Sequence, residues 1–186
     1  REGFATTMDV SCWTFMRMGH LAEPLMKKGG TLFTMTYYGS QMVVKNYNIM
    51  GVAKAGLEAA VRYIAAELGP KGIRVNLVAA GPLRTVAAKS IPGFELFEEP
   101  WGTRAPLGWD LKDPEPVARA TAALLSDYFP ATTGEIIHVD GGYHAGQGVG
   151  RRDRAVELAG PVVRDDDRVR PVVDREAGVV GRDDRR

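Results

Sequence analysis

Tyr47 and Lys54, seven residues apart, are the pair whose types and spacing could do chemistry. On an α-helix seven residues make nearly two full turns, so the phenol and the ammonium share one face, about 10 Å apart along the axis. Met50 and Gly51 stand between them, and Gly51 is expected to leave room for a flat ring against the helix. Such a face presents a proton donor and a fixed positive charge to one extended ligand. A lysine so placed is expected to lower the phenol's proton affinity and to hold vicinal hydroxyls, which is what carbonyl reduction needs. A bare Tyr-x6-Lys pair is ordinarily a packed phenol beside a solvated amine, so its meaning depends on the elements that position it.

Thr31 to Thr36 is a short apolar run that reads as a buried strand, and Tyr37 to Lys45 as a connection. The helix that carries the pair is expected from about Tyr47 to Leu68, where Gly69-Pro70 stops it. Gly72 to Ala79 reads as a second strand, ended by Ala80-Gly81-Pro82. Residues 83 to 112, rich in Pro, Gly and aromatics, read as a loop with short helices, and loops of that length are often functional. Asp113-Pro114-Glu115-Pro116 opens a further helix running to about Leu125, with acidic residues that complement its dipole. Glu135 to Val139 is a third strand, and Asp140-Gly141-Gly142 a turn after it rather than a metal loop. Strands alternating with helices predict a parallel sheet layered with helices. Upstream, Phe4, Met8, Val10, Cys12, Phe15, Met16, Met18, Leu21 and Ala22 recur at helical spacing, and a helix so apolar is expected to be buried on more than one side.

The 186 residues, 45% hydrophobic, bound the answer to one ordinary core, and a net charge of +1 gives no reason to expect nucleic acid or an anionic membrane as partner. The apolar stretches are broken by Glu23, Lys27 or Arg62 well short of the roughly 20 residues a bilayer needs, so a cytoplasmic location is expected. Cys12 is the single cysteine and reads as a core or interface residue. His20, His138 and His144 are not placed like a base beside Tyr47 and read as structural or solvent-exposed. No metal is implied. From 145 to 186 the alphabet narrows to one that cannot build a core, so a disordered tail is expected, although translation of GC-rich DNA out of frame would give the same composition.

The order of these segments resembles the short-chain dehydrogenase/reductase superfamily, and within it the enoyl-acyl-carrier-protein reductases. Asn46-Tyr47-Asn48-x-Met50-Gly51-x-Ala53-Lys54-Ala55, the loop Ala80-Gly81-Pro82-Leu83-Arg84-Thr85 and the closing Gly134-Glu135-x3-Val139-Asp140-Gly141-Gly142 carry the resemblance, which covers residues 1 to about 144. Ordinary members of the superfamily place the lysine four residues after the tyrosine; here Gly51 stands there and Lys54 three further on, as in the enoyl reductases. Tyr37, ten residues before Tyr47, also matches that branch. Residues 1 to 75 resemble proteobacterial members, and Asn76 to His144 mycobacterial ones.

The resemblance implies an α/β fold, a Rossmann-type doubly wound parallel sheet whose N-terminal strands are missing, with residues 1–144 as the C-terminal part of that domain. It implies reduction of trans-2-enoyl thioesters on acyl carrier protein with NADH as cofactor, in a homotetramer. Tyr47 would hydrogen-bond the thioester carbonyl and stabilise the enolate; Lys54 would hold the nicotinamide ribose. Tyr37 would line the acyl pocket or assist protonation. Leu83, Arg84, Thr85, Val86 and Ala87 would follow the cofactor, and Phe94 and Phe97, in a substrate loop from Ala88 to Trp101, would face the acyl chain. That loop is short, so ordinary rather than very long acyl chains are expected.

A dinucleotide fold holds its pyrophosphate on a glycine-rich turn after the first strand. No such turn is present, and Gly146-x-Gly148-x-Gly150 follows the last strand instead. With Arg1 opening the chain inside a helical pattern, an upstream part is expected to be missing, leaving an exposed sheet edge, weak stability and poor NADH binding. Two other functions compete. A 3-oxoacyl reductase or sugar dehydrogenase would need a Ser where the informative upstream position holds Tyr37, and a Lys at position 51. A non-catalytic oligomerisation remnant would rely on the first apolar helix and the Tyr47 to Leu68 helix, which resemble the pair that packs subunits in this family.

Overall fold

In the computed structural model, residues 1–89, 94 and 98–148 are described, with only the backbone given for 87, 98–100, 147 and 148. Arg1–Gly148 belong to one compact unit. Most of the tail expected from residue 145, together with Phe97, lies outside the described residues.

Three strands, β1 (Gly30–Thr36), β2 (Ile73–Ala80) and β3 (Ile136–Val139), form a parallel sheet in the order β1-β2-β3. Parallel neighbours need long crossovers. Helix α3 (Asn48–Leu68) makes the first, and α6 (Glu115–Leu125) lies in the second. Side chains of successive strand residues point to opposite faces, and β2 shows the consequence. Ile73, Val75 and Leu77 pack with Leu57, Val61 and Ala65 of α3, whereas Val78 packs with Val117 and Leu124 of α6. Helices thus cover both faces, as the alternation of elements predicts. Arg74 fastens the second layer, its guanidinium donating to the carbonyls of Leu124 at 3.2 Å and Ser126 at 2.9 Å, which α6 leaves without intrahelical partners.

The N-terminal segment is helical throughout but not one regular helix. Between α1 (Glu2–Met8) and α2 (Thr14–Ala22), residues Asp9–Trp13 widen into a π-helical turn, with the Thr14 hydroxyl donating to the Asp9 carbonyl at 2.9 Å. Cys12 is buried there, against the α3 side of the core together with Met8 and Phe15. The expectation that this helix is covered on more than one side is overturned. Phe4, Val10, Trp13, Met16, Met18 and Leu21 are all between 43% and 64% exposed, because α3 and the sheet cover one stripe and none of the other described residues covers the rest.

Two short helices, α4 (Val86–Lys89) and α5 (Glu98–Arg104), interrupt the long stretch after β2. α5 lowers Trp101, 1% exposed, into a separate aromatic cluster with Tyr38, Phe94 and Tyr143 beyond the carboxyl ends of the strands. In open α/β sheets that end is where ligands bind.

Candidate active site

Tyr37 directly follows β1, and Tyr47 is the residue before the first turn of α3, which begins one position later than the helix expected from about Tyr47. Asn46 and Asn48, on either side of Tyr47, both have positive φ, 66° and 36°. A backbone of that sign is costly for most L-residues, and asparagine is among those that tolerate it best. The tight turn throws the Tyr47 ring back toward Tyr37, so the two rings meet edge to face with centroids 5.1 Å apart.

Glycines make the approach possible. A Cβ on Gly39 would lie 2.4 Å from Cδ1 of Tyr47, and one on Gly51 would lie 2.7 Å from the Gly39 carbonyl oxygen. The space at Gly51 is therefore filled by the protein's own backbone, which corrects the expectation that it admits a flat ring of a ligand.

The two tyrosines open onto a cavity of about 410 Å³ whose walls also include Thr36, Met50, the Ala80–Leu83 turn, Thr85 and Phe94. Its size and its mostly apolar walls with a few converging polar groups suit a small-molecule site. Of the residues singled out in the sequence, Tyr37, Tyr47, Leu83, Thr85 and Phe94 are brought together here. Arg84 and Val86 are exposed, Arg84 with its amide bonded to the Leu111 carbonyl at 2.8 Å; Ala87 sits in α4 beside them. Lys54 is not a wall of this cavity. Its amine donates to the Met35 carbonyl at 2.9 Å, and the residue lines a neighbouring groove of about 400 Å³ between α2 and β1.

Burial pushes the Tyr47 phenol up to about 12, with the Glu58 carboxylate adding to it. Burial raises Tyr37 as well, assisted by the neighbouring Tyr143 and Tyr47 phenols. The expectation that Lys54 would lower the phenol's proton affinity is overturned: the ammonium is engaged elsewhere, and desolvation wins. Burial lowers Lys54's own proton affinity, and Glu58 opposes that. At neutral pH the cavity therefore holds two protonated phenols, both hydrogen-bond donors.

Sequence reasoning missed the residues that hold these groups. Glu58 accepts from the hydroxyls of Thr36, at 2.7 Å, and Ser40. Trp109 donates its indole N–H to the Pro82 carbonyl at 2.8 Å and lies flat on Gly81. Glu58 carried a signal, an acid four residues after Lys54 amid Leu57, Ala59, Ala60 and Val61; Trp109, 27 residues from its partner, carried none. His138 and His144 stack on each other at 3.9 Å, with His144 bonded to Asp140, away from the cavity walls.

Residues 1–144 match the family model described as Enoyl-(Acyl carrier protein) reductase. The chain belongs to that family. It is 47% identical over 145 residues to the enoyl-[acyl-carrier-protein] reductase [NADPH] FabI of Staphylococcus aureus (strain MRSA252), covering 78% of this chain and 56% of that protein. Against the enoyl-[acyl-carrier-protein] reductase [NADH] 1 of Rhizobium meliloti (strain 1021) it is 46% identical, over 77% of this chain and 53% of that one. The crystal structure of the Bacillus cereus enoyl-acyl carrier protein reductase with NADP+ and indole naphthyridinone superposes with a TM-score of 0.73 at 44% identity, over 78% of this chain and 56% of that chain. The chain thus spans about half the length of the family members it matches. Its three-stranded sheet is part of their Rossmann-like α/β fold. Among the described residues no helix is long and apolar enough to cross a membrane, and no group of three or more His, Cys, Asp or Glu could hold a metal ion.

Proposed function

We propose that this chain carries the catalytic and substrate-binding part of a reductase that acts on trans-2-enoyl thioesters of acyl carrier protein in fatty acid synthesis. What carries the reading is the convergence of two protonated phenols on one apolar cavity at the carboxyl ends of a parallel sheet, in a chain of this family. A nicotinamide dinucleotide, when bound, would supply the hydride. The residues present fit its nicotinamide end: the segment Ala80 to Leu83 lines the cavity together with the two phenols and Met50. Leu83, Arg84, Thr85, Val86 and Ala87 would run along it, and Lys54 would reach its ribose with the N–H groups that Met35 leaves unused.

Tyr47 donates to the thioester oxygen and holds the negative charge that develops there. A donor placed in advance in a water-poor site stabilises that charge without reorganising. Tyr37 forms the side of the acyl pocket, and its own phenol stays protonated for the same reason as Tyr47's. Phe94, a wall of the cavity, faces the acyl chain, with ordinary acyl chains preferred over very long ones. We take NADH as the donor and NADPH as its measured alternative, since the names of the relatives divide between the two.

A second reading has one observation in its favour. The apolar face of α1 and α2 is open, which suits packing against further copies of the chain in a homotetramer, and a piece that only assembled would need that face and not the cavity. The test is NADH oxidation with a trans-2-enoyl thioester by the chain by itself and by the chain joined to the upstream half of a related reductase, each beside Tyr47→Phe. Turnover in the joined enzyme that Tyr47→Phe abolishes supports the reductase. Absence of turnover in both, with a stable oligomer, supports the assembly piece.

A further inference from the structure

Tyr47, Gly51, Lys54 and Glu58 recur at steps of four, three and four along α3 and so form one stripe. Three of them have a place in the site just described; the fourth is a carboxylate only 6% exposed. A charge that far from water must find partners. Glu58 finds them in two hydroxyls on either side of Tyr37: Thr36, the last residue of β1, at 2.7 Å, and Ser40, in the turn that follows. Ser40 also reaches the Tyr37 carbonyl at 2.9 Å, and its single proton serves one acceptor at a time. The titratable groups that feel this carboxylate are Tyr47 and Lys54 on its own helix and His138 on β3, and it raises the proton affinity of each.

We infer that Glu58 is a positioning residue: its buried carboxylate, held by Thr36 and Ser40, pins the segment that carries Tyr37 to the helix that carries Tyr47. The two phenols reach the cavity from different elements, one from the end of a strand and one from the start of a helix. Their relative placement is only as firm as the tie between those elements. On the cavity side that tie is ring packing and two glycine contacts; away from the cavity it is Glu58 together with the Lys54 amine on the Met35 carbonyl, and of these only Glu58 reaches both flanks of Tyr37. The inference rests on the reductase reading for its kinetic consequence and on the structure alone for its mechanical one.

Glu58→Leu removes the acceptor, and Glu58→Gln keeps an acceptor oxygen of the same reach without the charge. In the joined reductase, Glu58→Leu is expected to lower kcat by roughly tenfold or more, as misplaced catalytic groups do, with KM for the enoyl thioester changed far less. Glu58→Gln is expected to recover most of the loss. In parallel, hydrogen exchange on the chain by itself should quicken in residues 37–46 for Glu58→Leu and not for Glu58→Gln, while residues 73–80 of β2 keep their protection. Unchanged kcat in Glu58→Leu, a glutamine as damaging as leucine, or exchange that quickens equally in β2 would each overturn the inference. If the joined enzyme without substitutions shows no turnover, the reductase reading fails and the exchange pattern decides Glu58's role by itself.

Discussion

The rings of Tyr37 and Tyr47 meet at 68° with centroids 5.1 Å apart, and this contact joins the end of β1 to the start of α3. Burial raises the cost of ionising both phenols, and Tyr47 adds to it at Tyr37, so the pair works as two donors and not as a donor and a base. Tyr47 is the one at the helix start, and it shares the cavity wall with Met50 and the Ala80–Leu83 segment.

Tyr47→Phe keeps the ring, the edge contact and the helix start and deletes one donor. In the joined reductase it is expected to lower kcat roughly 10²- to 10³-fold, the range found when one preorganised oxyanion donor is lost, with KM little changed. Tyr37→Phe should cost far less. Steady-state kinetics on the two variants settle the ranking, and equal losses would remove Tyr47's special role.

The pH dependence follows from the same burial. Tyr47's value in the fold, about 12, lies above its ordinary value of 10.0, so the fold favours the neutral phenol. That stabilisation is complete below pH 10 and is lost as pH rises toward 12. Thermal midpoints should therefore fall between pH 10 and pH 12 more steeply in the unsubstituted chain than in Tyr47→Phe. Parallel falls in the two would show that Tyr47 does not titrate as described.

Gly51→Ala separates stability from site geometry. Alanine is the better helix former by about 1 kcal/mol, yet the new Cβ would sit 2.7 Å from the Gly39 carbonyl, which is backbone and cannot swing aside. The helix is expected to persist by circular dichroism while kcat in the joined enzyme drops at least about tenfold through displacement of Tyr47. Full activity in Gly51→Ala would mean that the Gly39 turn yields without moving the phenol.

Much of this fold could be read from the sequence. Gly69-Pro70, Ala80-Gly81-Pro82 and Asp140-Gly141-Gly142 mark element ends within a residue or two, and the apolar runs between them are strands because both faces of the sheet are covered. The π-helical turn at Asp9–Trp13 was not legible, since one extra residue in a turn leaves helical spacing nearly intact. The open face of α1 and α2 escaped for a different reason: apolar periodicity says that a face seeks cover, not whether the same chain supplies it. At the site, Tyr37 and Tyr47 were legible from spacing and resemblance. The destination of the Lys54 amine was not, because a flexible four-carbon stem can reach several acceptors and only the fold chooses the Met35 carbonyl.

Trp109 offers the last test, because it acts on the cavity without lining it. Its indole rests against Gly81, where a Cβ would come within 2.5 Å of the ring, and its N–H holds the Pro82 carbonyl at 2.8 Å. Arg84's amide is tied in the same direction to the Leu111 carbonyl at 2.8 Å, so residues 81–84 are anchored at both ends to the loop before α6. Trp109→Phe preserves the ring against Gly81 and removes the donor, leaving a part-buried carbonyl unpaired at a cost of about 1–3 kcal/mol. If that anchoring shapes the Ala80–Leu83 segment for the nicotinamide, KM for NADH in the joined enzyme should rise several-fold while kcat at saturating NADH stays within about twofold, because neither phenol bonds Trp109. A fall in kcat with KM unchanged would show instead that Trp109 acts through Trp101, 6.2 Å away, on the Tyr37 side of the cavity.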